Sequence, residues 1–452
     1  MTSLPNIIVC GDIMLDHNIF TDIEKIANEA PIPVFNRYKD EHILGGCGNV
    51  IKNLSSLGCN KLYSFSVIGN DSNGKIISRL LDEAGVINYN TVLDSFSTTT
   101  KQRYFCSNKI VFRCDTENKK VKGMLESVSF IEKIEHLLKT EKIQCIVLSD
   151  YNKGVLHEKQ CKDIISLANN YGVFTCVDPK EDYHKYIGCS LIKPNLKEAY
   201  VIFKYNASSI DLLHKHIYDE VKCKYSVITM AEKGITLYDG TTLLHEIPVI
   251  HKIIDVTGAG DIVCCILAYF LSQGMESSKV VKLATRIATK SIEYPGTYTL
   301  TKEDVQQKGK IISIEEFTSI RRDSPIVFTN GCFDLLHSGH IELFKFCKAK
   351  GTVIVGLNSD DSIRRLKGQN RPVNALKIRL DILESIQYID YIVVFDDDTP
   401  YNLIKELCPD YLIKGGDYDV STIVGREFSK ETIVCDFVNG YSSTSIINKI
   451  RS

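Results

Sequence analysis

The chain has 452 residues, more than a single hydrophobic core ordinarily organises, so two domains are expected. With 44% hydrophobic and 24% charged residues and a mean hydropathy near zero it is ordinary globular material, and no apolar run reaches the ~20 residues of a membrane span. A net charge of −2 without a basic block excludes a broad surface for nucleic acid or anionic membrane, leaving small anions held in local sites.

The sixteen cysteines are scattered, several inside apolar runs (Cys10, Cys145, Cys176, Cys264, Cys265), and none form a CxxC pair. They read as small buried hydrophobes in a reducing compartment. Met1 to Pro5 lead straight into an apolar run with no basic or cleavage-site pattern, which predicts a cytoplasmic protein.

Along the chain, Val/Ile-rich runs at 6–12, 143–150, 173–179 and 225–230 alternate with longer amphipathic segments. Such continuous apolar runs predict strands covered on both faces, hence a mainly parallel sheet between helices, with ligands at the carboxyl ends of the strands. A charged segment at 300–324 ends at Pro325, after which the alternation resumes in runs at 325–334, 352–360, 391–398, 411–417 and 432–438. The predicted organisation is a doubly wound α/β domain at 1–310, a linker at 311–324 and a smaller Rossmann-like domain at 325–452.

In the first domain, Asp255-Val-Thr257-Gly258-Ala259-Gly260-Asp261 opens an apolar helix that Gly274 closes. Small residues there let a phosphate approach the backbone, and N–H groups at the positive end of the helix stabilise its charge. Asp261, beside the transferring group, is suited to accept the proton of an attacking hydroxyl.

This string, with Gly45-Gly46-Cys47-Gly48-Asn49 upstream, resembles the two signatures of the ribokinase (PfkB) family of sugar kinases. The resemblance implies that Gly45, Gly46 and Asn49 line the sugar site. Asn195 and Glu198 would then organise ATP phosphates and Mg²⁺, Glu198 reaching the metal through water, with Thr229, Glu232 and Gly234 on the same wall. The runs at 11–16, 29–34, 149–154 and 178–180 further resemble the heptose 7-phosphate kinases. In that reading Asp12, Asp16 and Asp150 belong to the sugar site, and Lys101, Arg103, Arg113, Lys153 and Lys180 are cations available to a phosphate already on the substrate. Arg286 and Thr289 stand where relatives carry small residues near the adenine.

In the second domain, Thr329-Asn330-Gly331-Cys332-Phe333-Asp334 leads through His337-Ser338-Gly339-His340 into a helix. Two histidines three apart share one helix face and can donate to nucleotide phosphates, while Gly339 admits a close approach. The pair is also compatible with a metal, but no third ligand stands at a matching position. The motif resembles the HxGH signature of the cytidylyltransferase-like superfamily. That implies nucleotide contacts for Asn358, Asp360, Lys367, Arg371, Lys414, Gly416 and Asp417, and for Ser443 and Thr444 in a closing serine/threonine motif. An aminoacyl-tRNA synthetase, which shares the signature, does not fit the size and charge.

Both halves in this order resemble the bifunctional heptose 7-phosphate kinase/heptose 1-phosphate adenylyltransferases. The resemblance implies ATP as co-substrate of both domains, sugar phosphates as ligands and a homodimer through the kinase half. Another sugar phosphate, CTP in the second half, or a nucleotide- or sugar-binding sensor are the alternatives; a base beside the phosphate disfavours the sensor.

Overall fold

The computed structural model describes residues 4–107, 109–118, 122–205, 207–248, 250, 252–294, 296–305, 310–313, 324–416 and 419–435. Asp417, Tyr418, Ser443 and Thr444 lie outside the described residues. The chain folds as two compact units, Met1–Gln306 and Gln307–Ser452.

In the first unit a nine-stranded sheet contains the strand Asn6–Gly11, flanked by Lys61–Phe65 and then the edge strand Ile87–Asn88 on one side and by Cys145–Ser149 on the other. Beyond Cys145–Ser149 come Phe174–Asp178, Leu191–Ile192 and Tyr225–Thr229, all parallel, and then two antiparallel edge strands, Ile235–Tyr238 and Leu243–Glu246. Alternate residues of the central strands enter opposite cores: Ile7 and Val9 pack on one face, Ile8 and Cys10 on the other. This two-sided burial explains why these strands are legible as unbroken apolar runs.

A separate four-stranded sheet, in the order Pro33–Gly46, Ile13–Ile26, Thr100–Cys106, Lys109–Thr116, mixes antiparallel and parallel pairs and was not expected from the sequence. Its strands mix polar and apolar residues and, away from the buried Ile13–Leu15 and Leu44–Gly46, are largely solvent-facing, so only short apolar stretches mark them. It contributes Asp16, Lys101, Arg103 and Arg113.

The second unit is a five-stranded parallel sheet in the order Tyr391–Phe395, Thr352–Asn358, Ile326–Gly331, Tyr411–Gly415, Glu431–Cys435. The strand order reverses between Ile326–Gly331 and its neighbour Tyr411–Gly415, which opens a crevice at their carboxyl ends. The segment expected as a linker begins inside this unit: Ile312 donates its N–H to Ile392 O at 3.0 Å and packs with Ile326 and Phe328. Two isoleucines within an otherwise charged stretch suffice to bring the chain onto the sheet.

Candidate functional site

The helix Ala259–Leu271 is anchored by an almost wholly buried apolar body, from Ile262 to Leu271. Its N-cap, Gly258, has φ 81°, and no side chain caps the helix; the Ala259 N–H turns back to Val256 O at 3.3 Å, which leaves the amides of Gly260 and Asp261 to face an anion. A Cβ on Gly258 would sit 2.9 Å from Asn49 Nδ2 and 3.0 Å from Thr297 Cγ2, which makes glycine a steric requirement. Thr257 lies in the preceding turn, its N–H held by Asp255 at 2.9 Å.

Asp261, in the first turn, accepts hydrogen bonds from Asn49 Nδ2 and from the Tyr151 hydroxyl, both at 2.6 Å. Burial pushes its carboxyl above the ordinary carboxylate range, opposed by those two donors and by Lys193 and Lys101. A polar cavity of about 220 Å³ beside it is lined by Asp178, Lys180, Lys193, Glu198, Gly258 and Gly260, among others.

At the sugar end, Asp12 is buried and accepts the N–H groups of Tyr151 (2.8 Å), Lys153 (3.1 Å) and Val155 (3.1 Å). Its carboxylate therefore shapes a loop before it meets any ligand, and burial beside Asp150 lifts it to about 6. Gly46, at φ 59°, abuts the carbonyl of Asp12, and Gly45 abuts the Asp16 carboxylate. Asp150 is likewise engaged within the protein, by Lys185 Nζ and Tyr186 Oη at 2.5 Å and by Asn152 N at 2.6 Å.

Four of the five expected cations come together. Arg103 and Arg113 stand directly opposite each other on paired strands, and Lys101, two residues from Arg103, lies on the same face with Asp16 beside it. Lys153 is close enough for its charge, with those of the two arginines, to add to the lowering of Lys101's pKa that burial begins. Like charges facing across strands destabilise unless an anion joins them. Asp16 binds Arg103 at 2.8 Å, Asp115 binds Arg113, and Glu117 binds Lys153 at 2.8 Å. Lys180 is apart from this group, 2.6 Å from Glu198 at the nucleotide end.

There Asn195 and Glu198 form a reciprocal capping box on the helix Leu196–Phe203. A cavity of about 880 Å³ adjoins them, its wall including Thr229, Glu232, Gly234, Ala259 and Gly260. Thr289 also lines it. Arg286 does not, because its guanidinium turns to Asp304 O at 2.7 Å. The arginine thereby serves the packing of the unit's last helix.

Sequence reasoning gave no role to Tyr151, to Asp178, which burial raises to about 6, or to Lys193, buried 3.1 Å from Asp178 and facing Gly260. Each stands at or just beyond the carboxyl end of a strand, which was the available signal.

In the second unit, His337 is the N-cap of the helix Ser338–Lys348 and His340 stands in its first turn. Their rings stack with centroids 3.8 Å apart, and His337 N donates to His340 Nδ1 at 3.3 Å, leaving the proton of a neutral His340 on Nε2. Burial, with His337 and Lys367 nearby, pushes His340 down to about 4, and burial also lowers His337. Gly339 lies against the His337 ring, and Phe333, at φ 43°, packs edge-on to His340.

Across the crevice Lys414 donates to Asn330 Oδ1, and burial pushes its ammonium down to about 8. Thr329, at the end of the same strand, keeps a buried hydroxyl with no partner among the described residues. Gly331 abuts the Phe333 ring, and Gly416 has φ 114°.

Several expected nucleotide contacts turn out to hold the site together. Asp334 accepts the N–H groups of Val373 and Asn374 and lies 2.8 Å from Arg371 Nε. Asp360 and the Asn358 carbonyl both bind Arg379, whose guanidinium also reaches the carbonyls of Cys332 and Asn374. Arg379 is wholly buried. One guanidinium fork thus ties the histidine-bearing loop to the neighbouring strand.

The profile of the pfkB family carbohydrate kinases matches residues 4–304, and the cytidylyltransferase-like profile matches residues 328–449. The chain is 38% identical to the bifunctional protein HldE of Campylobacter fetus subsp. fetus, covering 99% of both chains. It is 39% identical to that of Sulfurimonas denitrificans, covering 99% of this chain and 97% of the relative. Among solved structures, Arabidopsis thaliana ribokinase with ribose and ATP superposes with a TM-score of 0.52 at 14% identity, over 67% of this chain and 98% of its own. Escherichia coli phosphofructokinase-2 with fructose-6-phosphate gives 0.54 at 15% identity, over 67% and 97%. These two likenesses concern the fold.

Proposed function

Because the chain belongs to the family of bifunctional HldE proteins, joining a pfkB-type carbohydrate kinase to a cytidylyltransferase-like nucleotidyltransferase, we propose that its two sites serve ADP-heptose synthesis. The kinase moves the γ-phosphoryl of ATP to the C1 hydroxyl of D-glycero-D-manno-heptose 7-phosphate. After a separate phosphatase has removed the 7-phosphate, the second domain joins heptose 1-phosphate to the adenylyl group of a second ATP. Pyrophosphate leaves.

The observation that carries the kinase reading is the position of Asp261, between the amides of its helix and the loop tied to Asp12. Its carboxylate takes the C1 hydroxyl proton as the oxygen bonds to the γ-phosphorus and the bond to the β-phosphate oxygen breaks. The amides of Gly260 and Asp261 balance charge on the moving group. The cluster of Lys101, Arg103, Arg113 and Lys153 suits the 7-phosphate, an anion that would relieve the crowding of those cations. The 880 Å³ cavity takes the nucleoside.

The polar cavity is rich in carboxylates, Asp178 and Glu198 among them, whose oxygens are already shared with lysines. That donor set fits Mg²⁺ held through water, near Glu198, rather than a closed cage. When bound, Mg²⁺ supplies charge neutralisation for the triphosphate.

In the transferase the heptose phosphate oxygen attacks the α-phosphorus, and the two histidines donate to the phosphates from which pyrophosphate departs. Neutral His340 does so through Nε2–H. The enzyme positions and neutralises; no side-chain nucleophile is needed.

Asp261→Asn should abolish ADP formation and leave adenylyl transfer, and His340→Ala should do the reverse, with ADP and pyrophosphate followed separately. Loss of both activities from one substitution in a folded protein refutes the division of labour. The fold carries exposed Ile23, Ile26, Tyr38, Ile110 and Phe112 on the four-stranded sheet, which suits the homodimer. Sedimentation of the full chain against Ile110→Asp/Phe112→Asp tests it. Among the described residues no helix is long and apolar enough to cross a membrane, in keeping with action in the cytoplasm.

A further inference from the structure

The geometry points to Tyr151 as a positioning residue of the kinase, whose hydroxyl holds the Asp261 carboxylate in the orientation and ionised state required of the base. This rests on the reading of Asp261 as base. Both carboxylate oxygens are capped in the same way, Oδ1 by the Tyr151 hydroxyl and Oδ2 by Asn49 Nδ2, each at 2.6 Å. The Asn49 amide is itself oriented, because Asn53 Nδ2 donates to Asn49 Oδ1 at 3.3 Å and to its carbonyl at 2.9 Å. Tyr151 is fixed at its other end: its N–H donates to Asp12 Oδ2 at 2.8 Å, and the Lys101 ammonium lies 5.8 Å from its ring centre.

Each carboxylate oxygen keeps a second lone pair, so the C1 hydroxyl can donate to Asp261 without displacing either clamp. In the transfer its proton passes to that carboxylate, the C1 oxygen–phosphorus bond forms, and the electron pair of the broken bond leaves with ADP. Tyr151 keeps its own proton throughout, since burial and the adjacent Asp261 push its phenol well above the usual range. A donor to the ionised form also holds the carboxyl down against the effect of burial. The other charged or titratable groups facing Asp261 are Lys193, Lys101, Asp178 and the thiols of Cys47 and Cys265. Among these groups Tyr151 alone hydrogen-bonds the carboxylate.

The test is the pH profile of the full chain's kinase reaction with heptose 7-phosphate. It compares Tyr151→Phe, 3-fluorotyrosine placed at position 151, and Asp261→Asn. Tyr151→Phe should lower kcat about tenfold, the lower end for a hydrogen bond to a charged group, while KM for the sugar stays within about twofold. The acid limb of kcat should move to higher pH, because the base loses a donor to its ionised form. Fluorotyrosine, a stronger donor of almost unchanged shape, should move the limb the other way. An unchanged kcat and limb in Tyr151→Phe, or a change in KM alone, overturns the inference. If Tyr151→Phe does not fold, an unmoved limb with fluorotyrosine overturns it equally. Full activity in Asp261→Asn would instead sink the assignment of the base.

Discussion

Gly258→Ala tests whether the cradle at the start of Ala259–Leu271 is a geometric device or only a turn. The residue sits at φ 81°, so alanine incurs about 1–2 kcal/mol of left-handed strain. Its Cβ would also stand 2.9 Å from Asn49 Nδ2 and 3.0 Å from Thr297 Cγ2, closer than such contacts tolerate. Asn49 must then retreat by a few tenths of an ångström from its 2.6 Å bond to Asp261. Weakening one hydrogen bond to a charged group costs up to about 1.5–3 kcal/mol, and misplacing the phosphate amides adds to it, so kcat should fall about 100-fold. Gly274→Ala is the control: φ is 79° there, but a Cβ meets nothing within 4 Å. Both variants should lower the kinase unit's Tm by a few degrees, roughly 2–4 °C per kcal/mol. Only Gly258→Ala should lose ADP production in a coupled assay, with pyrophosphate release in the second reaction unchanged. Equal kcat in the two variants would refute the reasoning, because conformational strain would then be the whole effect.

Arg379→Lys should disable the transferase alone: a lysine cannot replace a buried fork with four acceptors, and the loss of about 3 kcal/mol should appear in the second unit's melting transition and in pyrophosphate release. Lys414 is pushed down to about 8, so transferase kcat/KM should decline as pH rises through that value, and Lys414→Arg, always charged, should remove the decline. The sign for stability is opposite: a lysine whose folded pKa lies below the unfolded ~10.4 disfavours folding while protonated, so its contribution improves as pH rises from about 8 to about 10. His340, near 4 in the free enzyme, should give transferase kcat/KM no acid limb around 6.5, and a limb there would refute the neutral-donor assignment.

The parts of this molecule legible in its sequence are those in which neighbouring residues share one physical task. The strand Asn6–Gly11 reads as a strand because both faces are buried, and Gly258 to Asp261 reads as a phosphate cradle because small residues and an uncapped helix start fall within one turn. The four-stranded sheet escaped because Ile13–Ile26 and Pro33–Gly46 run to fourteen residues each with a charged, exposed stretch and register shifts, which erase the period of two. Residues whose meaning lies in a distant partner escaped as well: Lys193 acquires its role from Asp178, Arg379 from Asp360 and Cys332, Tyr151 from Asp261. The same distinction separates two kinds of carboxylate at these sites. Asp12, Asp150, Asp334 and Asp360 are engaged mainly by the protein's own donors, through which they set the loops. Asp261 is held by only two side-chain donors at the mouth of a cavity, with lone pairs left for a substrate hydroxyl. A base has to retain that unfilled capacity, and a loop anchor must not.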